Sequence, residues 1–287
     1  MEVENTQIQK DSLVVKGYEF LRQLCSFKAD YSSFNKRPHP NTNRVDYINA
    51  QLDRHGIPYT NDYFIPTLGT PDAEPDKIIV DGFSTCFVNV IVEIEGTNKE
   101  QTTVFLAHHD VNNKHSENCQ DNTASVANLL DLCVRLSKDK PANNVVIAFV
   151  DAEEIVRPDV CGSRRLGNNI LAGKYGNVKY AVNLELTANG RNYWMSFENE
   201  SLLTETIEEK HPNTAKVMTP YNDAWVLELT GVPSACIGSL DNFNIASVRA
   251  KGFCKTWAMC HRLEDTFDSQ ANEADMDLFM EYLLTLI

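Results

Sequence analysis

The strongest constraint on this chain is an alternation in its middle. An apolar run at Thr103–His108 precedes a helix-spaced segment at Asn122–Leu136. A second apolar run follows at Val145–Val150, then a helical segment at Ser163–Leu171 and a third run at Tyr180–Leu186. Strands that alternate with helices at this spacing are joined by crossovers, and crossovers make the strands parallel with helices packed over them. The spacing therefore predicts an α/β fold: one domain over residues 1–287, with a central mixed, mostly parallel β-sheet flanked by helices.

The flanking segments extend this picture. Residues Asp11–Phe27 carry Leu13, Val14, Tyr18, Leu21 and Leu24 at helical spacing. A second helix is predicted over Asn43–Arg54, with Val45, Ile48 and Leu52 on one face and Gly56 as its stop. Extended segments follow at Tyr59–Ile65, Lys77–Asp81 and Phe87–Glu95. Later, Ser201–Lys210 and Ala224–Leu229 read as helices and Ser234–Ile237 as a short strand. A closing helix from Glu273 places Met276, Phe279, Met280, Leu283 and Ile287 on one stripe, the pattern of a helix docked on its own core.

Charge narrows the partners. The formal net charge is −14 with no block of lysine or arginine, so neither nucleic acid nor an acidic membrane surface is an expected partner. No apolar stretch approaches a membrane span. The start M-E-V-E-N-T-Q lacks a basic and an apolar signal region, which predicts a cytoplasmic location. Eight cysteines show no C-x-x-C pair, and neighbours such as Leu24, Leu132 and Ala235 suit reduced core thiols.

Acidic and imidazole side chains fall where a sheet of this kind places its ligands, beyond the carboxyl ends of strands. His108 and Asp110 close the first apolar run, Glu153 and Glu154 follow the second, and Glu185 stands at the end of the third. Asp121 opens the intervening helix, and His261 lies late in the chain. Carboxylate oxygens and neutral imidazole nitrogens delivered from several elements form a donor set for divalent cations. A bridging carboxylate holds two such ions about 3.5–4 Å apart, and each then needs one imidazole and one further acid. The inventory supplies this and leaves one glutamate over for proton transfer.

The order H108-H-D110, D121-N, E153-E154, N183-L-E185 and H261-R-L-E-D265-T266 resembles the co-catalytic zinc aminopeptidases of the bacterial leucyl aminopeptidase type. Their superfamily also includes glutamate carboxypeptidase-like enzymes and glutaminyl cyclases. The likeness begins near R-V-D-Y-I-N-A-Q-L-D-R-H-G-I and covers most of the chain. It implies a zinc-exopeptidase-like fold, and an exopeptidase, foremost an aminopeptidase, acting on peptides or small amides through a water held between two zinc ions. Manganese or cobalt would also suit the donors. By the same resemblance His108 and Glu185 bind one ion, Glu154 and His261 the other, and Asp121 bridges. Glu153 becomes the general base and Asp110 orients His108. Y-N-D223-A-W before G-V-P is similar to a stretch that lies beside the family's active site.

Two departures stand out. The family usually has aspartate where this chain has Glu185, so a changed geometry is expected with the ligand type kept. The related carboxypeptidases do use glutamate there but insert a lid domain before the last histidine; here 76 residues separate Glu185 from His261, and no lid is expected. His109 faces away from residues 108 and 110 on a strand and is not expected to bind metal. Cys119 and His115 read as loop residues, His39, His55 and His211 as structural, and D265-T-F-D268 as a helix-capping turn. Two alternatives remain open at this level: a one-zinc glutaminyl cyclase-like acyltransferase, and a non-catalytic interaction domain on the same fold.

Overall fold

The computed structural model describes residues 16–28, 42–64, 79–80, 83–84, 87–112, 115–154, 161–219, 221–251 and 255–287. Helices α1 (Gly17–Leu24) and α2 (Thr42–Arg54) precede strand β1 (Thr60–Phe64), a small hairpin of β2 (Ile79–Val80) and β3 (Phe83–Ser84), and β4 (Phe87–Ile94). The alternating middle comprises β5 (Asn98–His108), α3 (Ala124–Lys138), β6 (Asn143–Val150), α4 (Gly162–Leu171) and β7 (Val178–Leu184). Then come β8 (Asn192–Ser196), α5 (Leu202–Lys210), β9 (Ala215–Lys216), α6 (Asp223–Thr230) and β10 (Ser234–Leu240). Helices α7 (Asn242–Lys251), α8 (Lys255–Met259), α9 (Phe267–Gln270) and α10 (Glu273–Leu284) complete the order.

Eight strands form one mixed sheet in the order β1-β4-β6-β5-β7-β10-β8-β9. Its centre is parallel, with β5 between β6 and β7 and β7 beside β10, while β4 pairs antiparallel with β1 and β6, β8 pairs antiparallel with β10, and β9 lies parallel to β8. Both faces are covered, so the central strands carry apolar residues on both sides, as in Val104–Ala107, Val145–Val150 and Tyr180–Val182. Phe105, Ala107, Ile147, Phe149, Val182 and Leu184 pack with α1, α3 and α10. From the other face, Val104, Leu106, Val146, Ala148 and Ala181 meet Leu166 and Ile170 of α4 and Leu227 of α6. The α10 stripe of Met276, Phe279, Met280 and Leu283 is buried, as its spacing predicts. No helix among the described residues is long and apolar enough to cross a membrane.

Some sequence expectations shift. The helix expected from Asn122 starts at Ala124 instead, because Asp121 and Asn122 hold non-helical backbone angles. Strand β8 was not expected; Tyr193 and Trp194 lie on it, Tyr193 stacked on Tyr282 and Trp194 fully buried. Helices α7 and α8 were also unforeseen, since their residues carry little helical patterning. Residues 11–15, Ile65, 77–78 and Asp81 of the predicted elements, with His39, Cys86 and Cys254, lie outside the described residues.

His109 is fully buried, and its Nε2–H donates to the Val88 carbonyl at 2.9 Å, away from His108. Burial lowers its pKa from an ordinary 6.5 to about 4, so the folded protein keeps it neutral. The unfolded chain takes up that proton first as pH falls. The associated stability is therefore present above about 6.5 and lost as pH drops towards 4, by about 3 kcal/mol at most. Urea titrations between pH 7 and 4 should show wild type losing stability more steeply than His109→Gln, which keeps a donor for Val88. Parallel slopes would remove His109 as the source.

Candidate active site

The parallel strands end in step. His108 pairs with Val150 across β5 and β6, and Leu106 with Asn183 across β5 and β7. Their carboxyl ends therefore open onto one rim, where the residues following each strand converge. Asp110 is fully buried there, and its carboxylate accepts the backbone N–H of Glu153 at 3.1 Å and of Glu154 at 2.9 Å. This fastens the Glu153–Glu154 turn after β6 to the end of β5. His108 presents Nδ1 to the Asp110 carbonyl at 3.2 Å and to its carboxylate at 3.5 Å, which leaves Nε2 facing inward.

Asp121 enters from a turn, Cys119–Thr123, that precedes α3; its peptide bond to Asn122 is cis. Two braces hold this turn against β7 and the loop beyond it. Asn122 donates to the Leu184 carbonyl at 2.8 Å, and Gln120 Oε1 accepts the Ala188 N–H at 2.7 Å. A third comes from Asp265, whose carboxylate accepts the N–H groups of Gln120 and Asp121 at 2.7 and 3.2 Å. Sequence reasoning assigned Asp265 to a capping turn. Thr266 does cap α9, but Asp265 positions the Asp121 backbone, and its spacing four residues after His261 is the signal that could have shown this. Burial raises the Asp265 carboxyl to about 7.

The side chains then divide into two groups around Asp121. His108 Nε2 lies 3.4 Å from Asp121 Oδ1 and 3.5 Å from Glu185 Oε1. His261 Nε2 lies 3.1 Å from Asp121 Oδ2 and 2.9 Å from Glu154 Oε1. Glu154 also receives Asn112 Nδ2 at 3.2 Å. The structure thus brings together the ligands expected from sequence, with Asp121 in the middle and Glu153 beside Glu154. His115 is exposed in its loop, and Cys119 is buried beneath the turn.

Electrostatics shows how unusual the cluster is. Six carboxyls, of Asp110, Asp121, Glu153, Glu154, Glu185 and Asp223, converge on two imidazoles. Burial pushes Glu153 and Glu185 well above the carboxylate range, and their acidic neighbours push further in the same direction. Burial likewise lifts Asp223 to about 6 and raises Glu154. Asp121 goes the other way: burial opposes its charge, but hydrogen bonds from His108 and His261 prevail. Hydrogen bonds to Asp121 and Glu154 hold His261 up to about 10. His108 is raised despite burial, chiefly by Glu185, with Asp110 and Asp121 contributing.

A cation fits this arrangement. Tetrahedral coordination at 2.0–2.1 Å separates neighbouring donor atoms by roughly 3.3–3.4 Å. The His108 group shows 3.4 and 3.5 Å, and the His261 group is a few tenths of an ångström tighter. His108, Asp121 and Glu154 each also offer a donor atom within 4.8 Å of the others. Positive ions at these places would offset the mutual repulsion of the acids, which burial otherwise makes costly.

The profile of peptidase family M28 matches residues 89–286, and the chain belongs to that family. No curated protein sequence matches it. Among solved structures it is similar to a leucine aminopeptidase precursor of Bacteroides thetaiotaomicron, at 15% identity and TM-score 0.69 over 96% of both chains. A glutaminyl cyclase of Porphyromonas gingivalis gives 17% identity and TM-score 0.69 over 95% of this chain and 96% of the other. A Zn-dependent exopeptidase of Parabacteroides distasonis gives 17% and 0.66 over 94% and 96%. At these identities the likeness establishes a shared fold. Membership of this peptidase family supports a metallopeptidase.

Glu185 is seated by close backbone packing. Its N–H donates to the Ile237 carbonyl at 2.9 Å, and a Cβ on the next residue, Gly238, would lie 2.0 Å from the Glu185 carbonyl oxygen and 2.7 Å from the Trp194 ring. Gly238→Ala should therefore cost about 2–3 kcal/mol and weaken zinc binding as Glu185 is displaced. Chemical denaturation and a zinc titration of the folded variant check both; an unchanged denaturation midpoint would refute the packing argument.

Proposed function

We propose that this chain is a two-cation exopeptidase that removes residues from the amino end of peptides, folded as a single catalytic domain without a lid. The carrying observation is the division of Asp121, one oxygen facing His108, which also meets Glu185, and the other facing His261, which also meets Glu154. On this reading His108 and Glu185 would hold one cation, His261 and Glu154 the other, and Asp121 would be shared between them. Zinc suits the mixed nitrogen and oxygen donors, with manganese or cobalt as workable replacements. Such ions supply Lewis acidity, polarising the scissile carbonyl and lowering the pKa of water.

The remaining chemistry falls to the chain's own groups. Glu153 is fixed through its backbone to Asp110, and burial keeps its carboxyl pKa high. It takes a proton from the attacking water and delivers it to the departing amine, a role typically worth roughly 10²–10⁴-fold. Asp110 holds His108 and the Glu153–Glu154 turn in a fixed relation. Among the described residues, the ion pairs of Asp110, Asp121, Glu154 and Glu185 are with His108 and His261, and the choice of the amino end over the carboxyl end is carried by the likeness to the leucine aminopeptidase precursor. The thiols of Cys25, Cys119, Cys133 and Cys236, free of disulfides among the described residues, support a reducing compartment, the cytoplasm.

Glutaminyl cyclisation is the second reading, favoured by the likeness to the Porphyromonas gingivalis cyclase. Retention of His108 and Glu185 around one oxygen of Asp121 favours the peptidase. Mass spectrometry of a mixed peptide pool separates the two. Zinc-loaded protein should trim residues from amino ends, and Glu153→Gln should lower kcat by roughly 10²–10⁴-fold while keeping its zinc. Loss of ammonia from N-terminal glutamine would instead establish the cyclase, and full activity in Glu153→Gln would refute the proton-transfer role.

A further inference from the structure

Arg44 lies at the start of α2, where a polar residue usually faces solvent, yet its side chain is fully buried. Burying a guanidinium costs several kcal/mol unless its donors are met. The bonds described here go to neutral acceptors in three places. Nε donates to the His109 carbonyl at 2.6 Å. Nη1 donates to the carbonyls of Leu24 and Phe27, at the end of α1 and just beyond it, at 3.4 and 3.3 Å. Nη2 donates to Thr123 Oγ1 at 2.9 Å.

Two of those acceptors belong to the segments that deliver metal donors. His109 lies between His108 and Asp110, and Thr123 closes the turn that carries Asp121. The rigid guanidinium fork therefore spans from the end of β5 to the Asp121 turn and ties both to α1. Asp265 grips the same turn through the N–H groups of Gln120 and Asp121. Two braces of opposite charge thus set where Asp121 stands relative to His108.

We propose that Arg44 is a positioning residue for the cation site, fixing the spacing between His108 and Asp121 through the His109 carbonyl and the Thr123 hydroxyl. This rests on the two-cation reading above. A lysine cannot reproduce it, because a single ammonium lacks the planar fork that reaches separate acceptors. An apolar side chain of similar length would fill the space but release the turn.

The test compares wild type, Arg44→Met, Arg44→Lys and Thr123→Val by zinc titration against a chromophoric chelator, with circular dichroism and thermal melts on the same samples. Folded Arg44→Met should bind zinc at least 10-fold more weakly, with Arg44→Lys recovering only part of the loss. Thr123→Val, which removes the Arg44 contact to the turn together with a long bond from Thr123 Oγ1 to the Glu117 carbonyl at 3.5 Å, should weaken binding about 3-fold. Activity should fall in kcat with KM within about 2-fold of wild type. Wild-type zinc affinity in folded Arg44→Met and Thr123→Val would overturn the proposal, even with a lowered melting temperature. Should Arg44→Met fail to fold, Thr123→Val decides by the same criterion. Wild-type protein that binds no divalent ion would refute the two-cation reading and this proposal together, whereas zinc-binding wild type with unaffected variants refutes the role of Arg44 alone.

Discussion

The structure depends on holding like charges together. Asp110, Asp121, Glu153, Glu154 and Glu185 gather within one buried rim, where their mutual repulsion is poorly screened. Nothing about such a cluster is self-assembling; the acids would separate if the backbone allowed it. The scaffold therefore supplies rigidity from outside the cluster. Three parallel strands run in register, and each lends its final residues to the rim. Their apolar faces, packed on both sides, provide the free energy that offsets gathering the charges.

The fine placement is made by backbone groups, not by the side chains that would meet substrate. Asp110 accepts the two N–H groups of the Glu153–Glu154 turn, and Asp265 accepts those of Gln120 and Asp121. Each carboxylate thereby satisfies donors that a tight turn would leave unpaired. Gly238 makes room for the Glu185 backbone at a distance no other residue could match. The reacting groups are thus positioned by partners that never approach a substrate, as preorganised sites require.

How much of this was legible in the sequence follows from what each residue does. His108, Glu153, Glu154 and Glu185 could be found because each stands at or just past an apolar run, where an idle charge is costly. The sheet was legible for the same reason, since alternating strands and helices carry their own periods. Strand β8 was not: N-Y-W-M-S is short, and its burial depends on α10 and α8, which pack on it from far along the chain. Asp121 was found, but D-N-T-A-S reads as an ordinary helix start, so its extended backbone was hidden. The brace made by Asp265 was hidden behind its reading as a capping turn, and Arg44 drew no notice, because most of their bonds go to main-chain atoms, which no residue type at the receiving end records.

His261 adds a temporal dimension to the site. It follows His108 by more than half the length of the chain and sits on a residue with φ of +62°, in the loop between α8 and α9. During synthesis the first imidazole and its acids emerge long before the second imidazole exists. A partly made chain can therefore assemble one half of the donor set but not the other. The full donor set therefore exists only once His261 has been made, long after the strands that frame it.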